Sequence, residues 1–319
     1  MVARPARLIA VVAIAVLACS AGLRPLPAGV SASAADRTQS GAVAGQATAV
    51  PRRIVSLVPA LTEMLFAIGA GDRVVAVSSF DEHPPEVKSL PRVGALLDPD
   101  TERILALRPD LVVIYGSQSE LQQQFARAGV RTFAYRHGGI ATILETLREL
   151  GSITGNAGGA DRLRRELQAR LDDVRRRVEG RPRPRVLLVF ERQPKALREI
   201  YVSGGRGFLH EMLEIAGGQN VFGDVARESA QPSVETILAR APEVILEVRA
   251  EGLIGEREVA AERGIWSTLA SVPAVRRRQI HFLSGDHFVV PGPRFAVATA
   301  GLARVLHPDA FTTAPSKPR

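Results

Sequence analysis

Three of the six histidines, His83, His137 and His287, fall on segments that follow short apolar runs, where loops leave β-strands. A neutral imidazole is a good metal donor, so such a side chain could ligate a metal. His83 and His287 are the ligand candidates, and a histidine making ordinary hydrogen bonds is the competing account. Similar loop positions carry Pro59, Phe80, Tyr115 and Phe190 as apolar walls. They also carry Arg136, Ser203, Gly204 and Arg294 as polar or cationic groups. Gly204-Gly205-Arg206-Gly207 precedes a helical pattern, so its backbone N–H groups could hold an anion, although a turn that merely needs glycine accounts for it equally well. The spacings that mark a serine hydrolase, a zinc protease, a dithiol or a phosphate-binding loop are missing from the sequence. Capture without catalysis is therefore expected: no enzymatic activity and no resident cofactor.

The elements that must position these residues alternate between strand and helix. Ile54–Leu57, Val74–Val77, Leu111–Tyr115 and Thr132–Tyr135 are short apolar strands. Between them lie helical patterns at Leu61–Ile68, at Ser119–Ala128, and at a helix expected to open on Asp98 as N-cap with Pro99 behind it. Two long helical patterns follow, Ile140–Thr154 and Ala160–Val178. The alternation then restarts with strand Arg185–Phe190, helices Phe208–Ala216 and Val234–Ala241, strands Val244–Val248 and Ile280–Leu283, and a last helix Arg294–Leu306. Such alternation predicts parallel sheets covered by helices.

The two halves echo one another. Glu102 to Val112 and Glu235 to Ile245 share one spacing of acid, aliphatic residues, Pro109 or Pro242, a second acid, and a strand. A second, weaker echo sets Ile68 to Val74 beside Ile215 to Val221. The reading is an α/β protein of two Rossmann-like lobes with central, mostly parallel sheets, joined by one long rigid interdomain helix. The expected boundaries are a signal peptide over 1–35, a tether over 36–51, an N-terminal lobe over 52–156, the interdomain helix over 157–180, a C-terminal lobe over 181–309 and a disordered tail over 310–319. A cleft between the lobes, at loops beyond the strand ends, is where a ligand belongs.

Arg4 and Arg7 precede the apolar run Leu8 to Ala18, which has the length of a secretory signal and is short for a membrane span. Ala32-Ser33-Ala34 offers one processing site. Val16-Leu17-Ala18-Cys19 offers another, a lipoprotein box with Cys19 as the lipidated residue. Cys19 is the only cysteine, so an internal disulfide is excluded. The formal charge is +8, and the leader's Arg4, Arg7 and Arg24 supply three of those charges. The densest basic run, Arg175 to Arg185, sits where a helix ends and reads as a solvated face. With no finger spacing and no basic arm interleaved with aromatics, nucleic acid is not expected as a partner.

Several segments, in this order, resemble the periplasmic binding proteins with a helical backbone, which serve importers of cobalamin, siderophores and haem. They are Arg53 to Glu63, Ser78-Ser79-Phe80 with Pro84-Pro85, Thr101 to Leu111, Ala216 to Phe222, and Pro293-Arg294. The resemblance covers about residues 52–308. It is most marked to the corrinoid-binding members and implies an exported, monomeric protein that hands a metal chelate to the permease dimer of an ABC importer. It also implies that Glu102 and Glu235 dock onto permease arginines. Where the corrinoid binders present tryptophans, this chain has Leu96 and His287, and His83 replaces an aromatic. Haem-binding relatives carry a tyrosine in the segment that here reads Val93 to Leu97, which has none. A ferric-siderophore or haem binder is the alternative, with Arg136, Arg206 and Arg294 meeting an anionic chelate. A tetrapyrrole metal chelatase, also built of two α/β lobes, is a more distant one.

Overall fold

A computed structural model describes residues 49–250 and 255–312. Cys19, the leader, most of the tether and the end of the tail lie outside the described residues.

The first half contains β1 (Ile54–Ser56), α1 (Pro59–Ala67), β2 (Val74–Val77), α2 (Thr101–Ala106), β3 (Leu111–Tyr115), α3 (Ser119–Arg127), β4 (Arg131–Tyr135) and α4 (Ile140–Ile153). Its four strands are all parallel, in the order β2-β1-β3-β4. Then come α5 (Ala157–Val178), β5 (Arg185–Glu191), β6 (Tyr201–Ser203), α6 (Gly207–Ile215), β7 (Gln219–Asn220), β8 (Ser229–Ala230) and α7 (Val234–Arg240). The chain finishes with β9 (Val244–Arg249), α8 (Glu256–Trp266), α9 (Pro273–Arg276), β10 (Ile280–Ser284) and α10 (Phe295–Leu306). The second sheet runs β10-β9-β5-β6-β8, with β7 also on β5. Its β10, β9, β5 and β7 are parallel, whereas β6 and β8 form an antiparallel edge that the apolar pattern does not announce.

The first echo has a physical basis. Asp100 caps α2 by accepting the Arg103 amide, and Ser233 caps α7 by accepting the Thr236 amide. The helix therefore opens on Asp100 rather than Asp98, because it is the Asp100 carboxylate that reaches the N3 amide. Each segment then turns through a left-handed residue, Arg108 at φ 47° and Ala241 at φ 44°. After the proline, Asp110 accepts the Arg52 and Arg53 amides at 2.7 and 3.0 Å, while Glu243 accepts the Arg185 amide at 3.1 Å. Each acid thus pins the start of a neighbouring central strand. The second echo slips by one residue: the left-handed glycine that ends the helix is Gly69 in one half and Gly217 in the other.

α5 has 22 residues, about 33 Å at the helical rise. It packs on α4 from the first half and on α10 from the second. One apolar cluster runs through both halves, from Ile54 and Leu61 through Leu167 and Leu171 to Phe295 and Leu302. Separate clusters cover the far face of each sheet, around Phe125 in the first and Trp266 in the second. Among the described residues no helix is long and apolar enough to cross a membrane.

Candidate functional site

In the first sheet the chain leaves β1 towards β2 on one side and returns to β3 on the other. That reversal opens a crevice beyond the strand ends. Pro59 stands at the exit of β1 and Tyr115 ends β3, and both line a cleft there. The facing wall comes from the second half: Phe190 in β5, Phe208 and Leu209 on α6, and the turn Asp286 to Pro291 after β10. The cavity between these walls is small, about 70 Å³. The slot is narrow.

An aromatic chain crosses its floor. Tyr115 meets Tyr135 edge-on at 6.2 Å, Tyr135 meets His137 at 6.2 Å, and His137 meets Phe208 of the other half at 5.7 Å. The loop after β2 presents Phe80, Glu82 and His83. Asp81 cinches that loop: its Oδ2 accepts both the amide and the hydroxyl of Ser78, at 2.8 and 2.5 Å. Burial pushes the Asp81 pKa up to about 6. Arg92 ties the loop from outside by donating to the carbonyls of Ser78 and Asp81.

Three polar contacts span the two halves beside the slot. Arg294 donates to Glu63 Oε2 at 3.0 Å, to Glu63 Oε1, and to both oxygens of Asp286 at 2.7 Å. Glu63 is 5% exposed, and burial pushes its pKa up to about 7 in spite of Arg294. Burial also works against the charges of Asp286 and Arg294, yet the bonds from Arg294 hold the Asp286 carboxyl below the usual range, and the bonds to Glu63 and then to Asp286 raise Arg294. The second contact sets His137 Nε2 at 3.5 Å from Glu228 Oε2; burial lowers the His137 pKa and Glu228 opposes this. In the third, Glu211 on α6 accepts the Ile140 amide at 2.8 Å at the N-terminus of α4. A Cβ at Gly139 would sit 1.9 Å from that carboxylate, so the approach requires glycine there.

Of the eleven residues expected in the cleft, the structure brings Pro59, Phe80, His83, Tyr115, His137 and Phe190 together along its walls. The other five are elsewhere. Arg136 is exposed beyond the lining. Ser203 is fully buried and, with Gly204, is bound by the Asn220 side chain. Three amides of the glycine turn are already spent: Gly204, Gly205 and Arg206 donate theirs to the carbonyls of Glu228, Val225 and Arg227. His287 lies on the ring of Phe288, 4.4 Å between centroids, and is not on the wall. Arg294 is behind the wall and already neutralised by two carboxylates. Sequence reasoning did not place Glu63, Tyr135, Phe208 and Asp286 in the cleft. Glu63 stood inside a segment that carried the resemblance, and Tyr135 ended a recognised strand, so a signal existed for both.

Burial lowers the His83 pKa, with Arg294 adding to it, which favours a neutral imidazole on the wall. Among the described residues no group of three or more His, Cys, Asp or Glu is arranged to hold a metal ion. The site offers a largely apolar guest three carboxylates and two imidazoles, His83 and His137.

The chain belongs to the periplasmic binding protein family, whose sequence model matches residues 54–286, and its two-sheet cleft architecture is that of the helical-backbone class. It is similar to vitamin B12-binding proteins. The vitamin B12-binding protein of Salmonella typhimurium is 30% identical over 256 residues, 80% of this chain and 90% of the relative. The periplasmic vitamin B12-binding protein of Vibrio cholerae superposes with a TM-score of 0.68 at 25% identity, covering 82% of this chain and 99% of the other. A periplasmic haem-binding protein of Pseudomonas aeruginosa superposes with a TM-score of 0.71 at 25% identity, covering 83% and 96%. The family is one of transport components rather than enzymes, and membership supports an extracytoplasmic location.

Proposed function

We propose that the protein is the substrate-binding component of an ABC importer, that it captures a corrinoid between its two halves, and that it delivers this ligand to a membrane permease. One observation favours a corrinoid over other metal chelates: among the described residues the cleft is lined by aromatic and aliphatic side chains with Glu63, Glu82 and Asp286, and by no arginine or lysine. A guest rimmed with carboxylates or catecholates would meet no counter-charge there, whereas the amide rim of a corrinoid needs none and can donate to carboxylates. His83 is then the imidazole placed to reach the metal. The slot is too narrow for a tetrapyrrole, so the halves part to admit it, with α5 as the stiff link that keeps the motion small. Glu102 and Glu235, both exposed in the first turn of equivalent helices, are the docking acids. Paired rim charges of this kind set register and speed encounter. The protein acts as a monomer, without a cofactor, held near the membrane through a lipidated Cys19.

A ferric chelate or haem is the second reading, favoured by the likeness to a haem-binding protein and by the neutral His83. Titration calorimetry with cyanocobalamin, haem and a ferric siderophore separates the two. Heat with cyanocobalamin is expected; no heat with any corrinoid beside tight binding of a ferric chelate overturns the first reading. Replacing Glu102 and Glu235 by lysine should abolish uptake and leave ligand binding intact. Unchanged uptake removes the docking role.

A further inference from the structure

The densest basic run of the chain, Arg175 to Arg185, has no part in the cleft. The structure gathers its end with the turn Arg276-Arg277-Arg278 around a second depression of about 440 Å³, whose charged lining is Arg181, Arg183 and Arg277 with Glu243 and Asp309. This groove is at the start of the second sheet's strands: Pro184 precedes β5, Val244 opens β9 and Gln279 precedes β10. The cleft is at the opposite ends of the same strands, at Phe190 and Asp286. Glu102 and Glu235 also belong to the cleft end, because each opens a helix that runs back towards the start of the next strand. In the groove lining three arginines meet two acids, Glu243 and Asp309, and the flanking Arg276 and Arg278 add to the positive side.

Not every arginine here carries a surplus. Arg175, Arg176 and Arg177 share Asp172 and Asp173, Arg183 is bound to Glu214, and Arg277 pairs with Glu243 at 3.3 Å. Arg181 donates only to the Arg177 carbonyl, and no carboxylate among the described residues pairs with Arg181, Arg276, Arg278 or Arg304. Pro182 and Pro184 fix the backbone around Arg181 and Arg183, so these side chains are presented at reduced entropic cost. Of these four only Arg181 lines the groove, while Arg276 and Arg278 flank the lining Arg277 and Arg304 precedes the lining Val305, so the uncompensated guanidiniums do not converge on one point. Such a spread suits a plane of phosphates better than one small anion, which needs convergent donors.

We propose that this arginine-rimmed end is a docking surface for the anionic phospholipid headgroups of a membrane. Its biological sense rests on the importer reading, in which the protein works beside a bilayer; the attraction itself does not. Held by this end, the protein would turn its cleft away from the membrane, free to collect ligand, and would have to roll over before Glu102 and Glu235 could meet a permease.

Co-sedimentation of the chain from Asp36 onward, which keeps every described strand and helix, tests this with vesicles of phosphatidylcholine alone or mixed with phosphatidylglycerol. Binding to the mixed vesicles only, weakening as salt rises, is expected. Two double variants, R276Q/R278Q and R181Q/R304Q, should each lower that affinity about twenty-five-fold, from a factor of about five per arginine near an anionic surface. Unchanged circular dichroism and ligand binding would show the variants folded, and E102Q/E235Q should bind vesicles as the unaltered chain does. Equal binding to neutral vesicles, no loss in either double variant, or displacement by millimolar inorganic phosphate as effective as by equal ionic strength of phosphatidylglycerol vesicles would each overturn the proposal. Loss of uptake in E102K/E235K, measured separately, reports on the permease and not on this surface.

Discussion

Replacing Arg294 by methionine should destabilise the protein in a pH-dependent way. Among the described residues Arg294 is the one cation bonded to Glu63, a carboxyl 5% exposed, and it also holds Asp286. With Arg294 present the Glu63 pKa is already raised from 4.5 to about 7. A folded-state carboxyl raised in this way binds a proton more tightly than in the unfolded chain, so its contribution to stability falls as pH climbs from about 4.5 to about 7. Without the guanidinium the folded pKa rises further. Below pH 6 Glu63 is largely protonated in both proteins, and the variant loses little beyond the bonds to Asp286. Above pH 7 the parent pairs an ionised Glu63 while the variant must bury it alone or keep it protonated. Breaking a buried pair on one side costs about 3–5 kcal/mol, and each further unit of pKa adds about 1.4 kcal/mol. Urea unfolding at pH 5.5 and pH 8.5 should show a loss of about 1 kcal/mol at the lower value and about 3 kcal/mol or more at the higher. The double variant R294M/E63Q should abolish the difference between the two. Equal losses at both pH values, or no recovery in the double variant, would refute the reasoning.

The helix caps should be equivalent in the two halves: D100A and S233A each lose about 1 kcal/mol in chemical denaturation, and the losses add in the double variant. Truncating a cleft wall that is outside the core, F80A, should weaken corrinoid binding by about three- to tenfold in calorimetry while leaving the melting temperature nearly unchanged. In the second half, Arg192 is 1% exposed and bonded to Glu247 at 3.0 Å and to Glu262, with the Trp266 indole donating to Glu247 at 3.1 Å. R192M leaves both carboxylates facing one fewer cation and should cost about 3–5 kcal/mol by urea unfolding.

Much of the architecture was legible because the physics that builds it is local. Strand and helix periods, the proline after each echoed helix and the acid behind it all act within a few residues, so the duplicated segments could be recognised before their bonds were seen. The helix Glu256–Trp266 was not, because the residues it buries are Glu262 and Trp266, held by an ion network rather than by an apolar stripe. Asp98 was read as a cap because a proline followed it, but the turn held by Gly94 at φ +82° carries the chain two residues further before the helix begins. For the cleft, residues at the ends of recognised strands were readable: Pro59, Tyr115 and Phe190. Arg294 was read as a ligand group because nothing local reveals that Glu63, 231 residues away, takes its charge. The amides of the glycine turn were likewise spent on a loop some twenty residues downstream.

The apolar cluster that threads both halves through α4, α5 and α10 means that neither half owns a complete interior. Cut from its neighbour, either would expose the oily flank of a helix that the other normally covers. The two halves should accordingly melt as one body in a single calorimetric step, and a guest lodged in the slot should raise the melting temperature of the entire molecule rather than of the wall it touches.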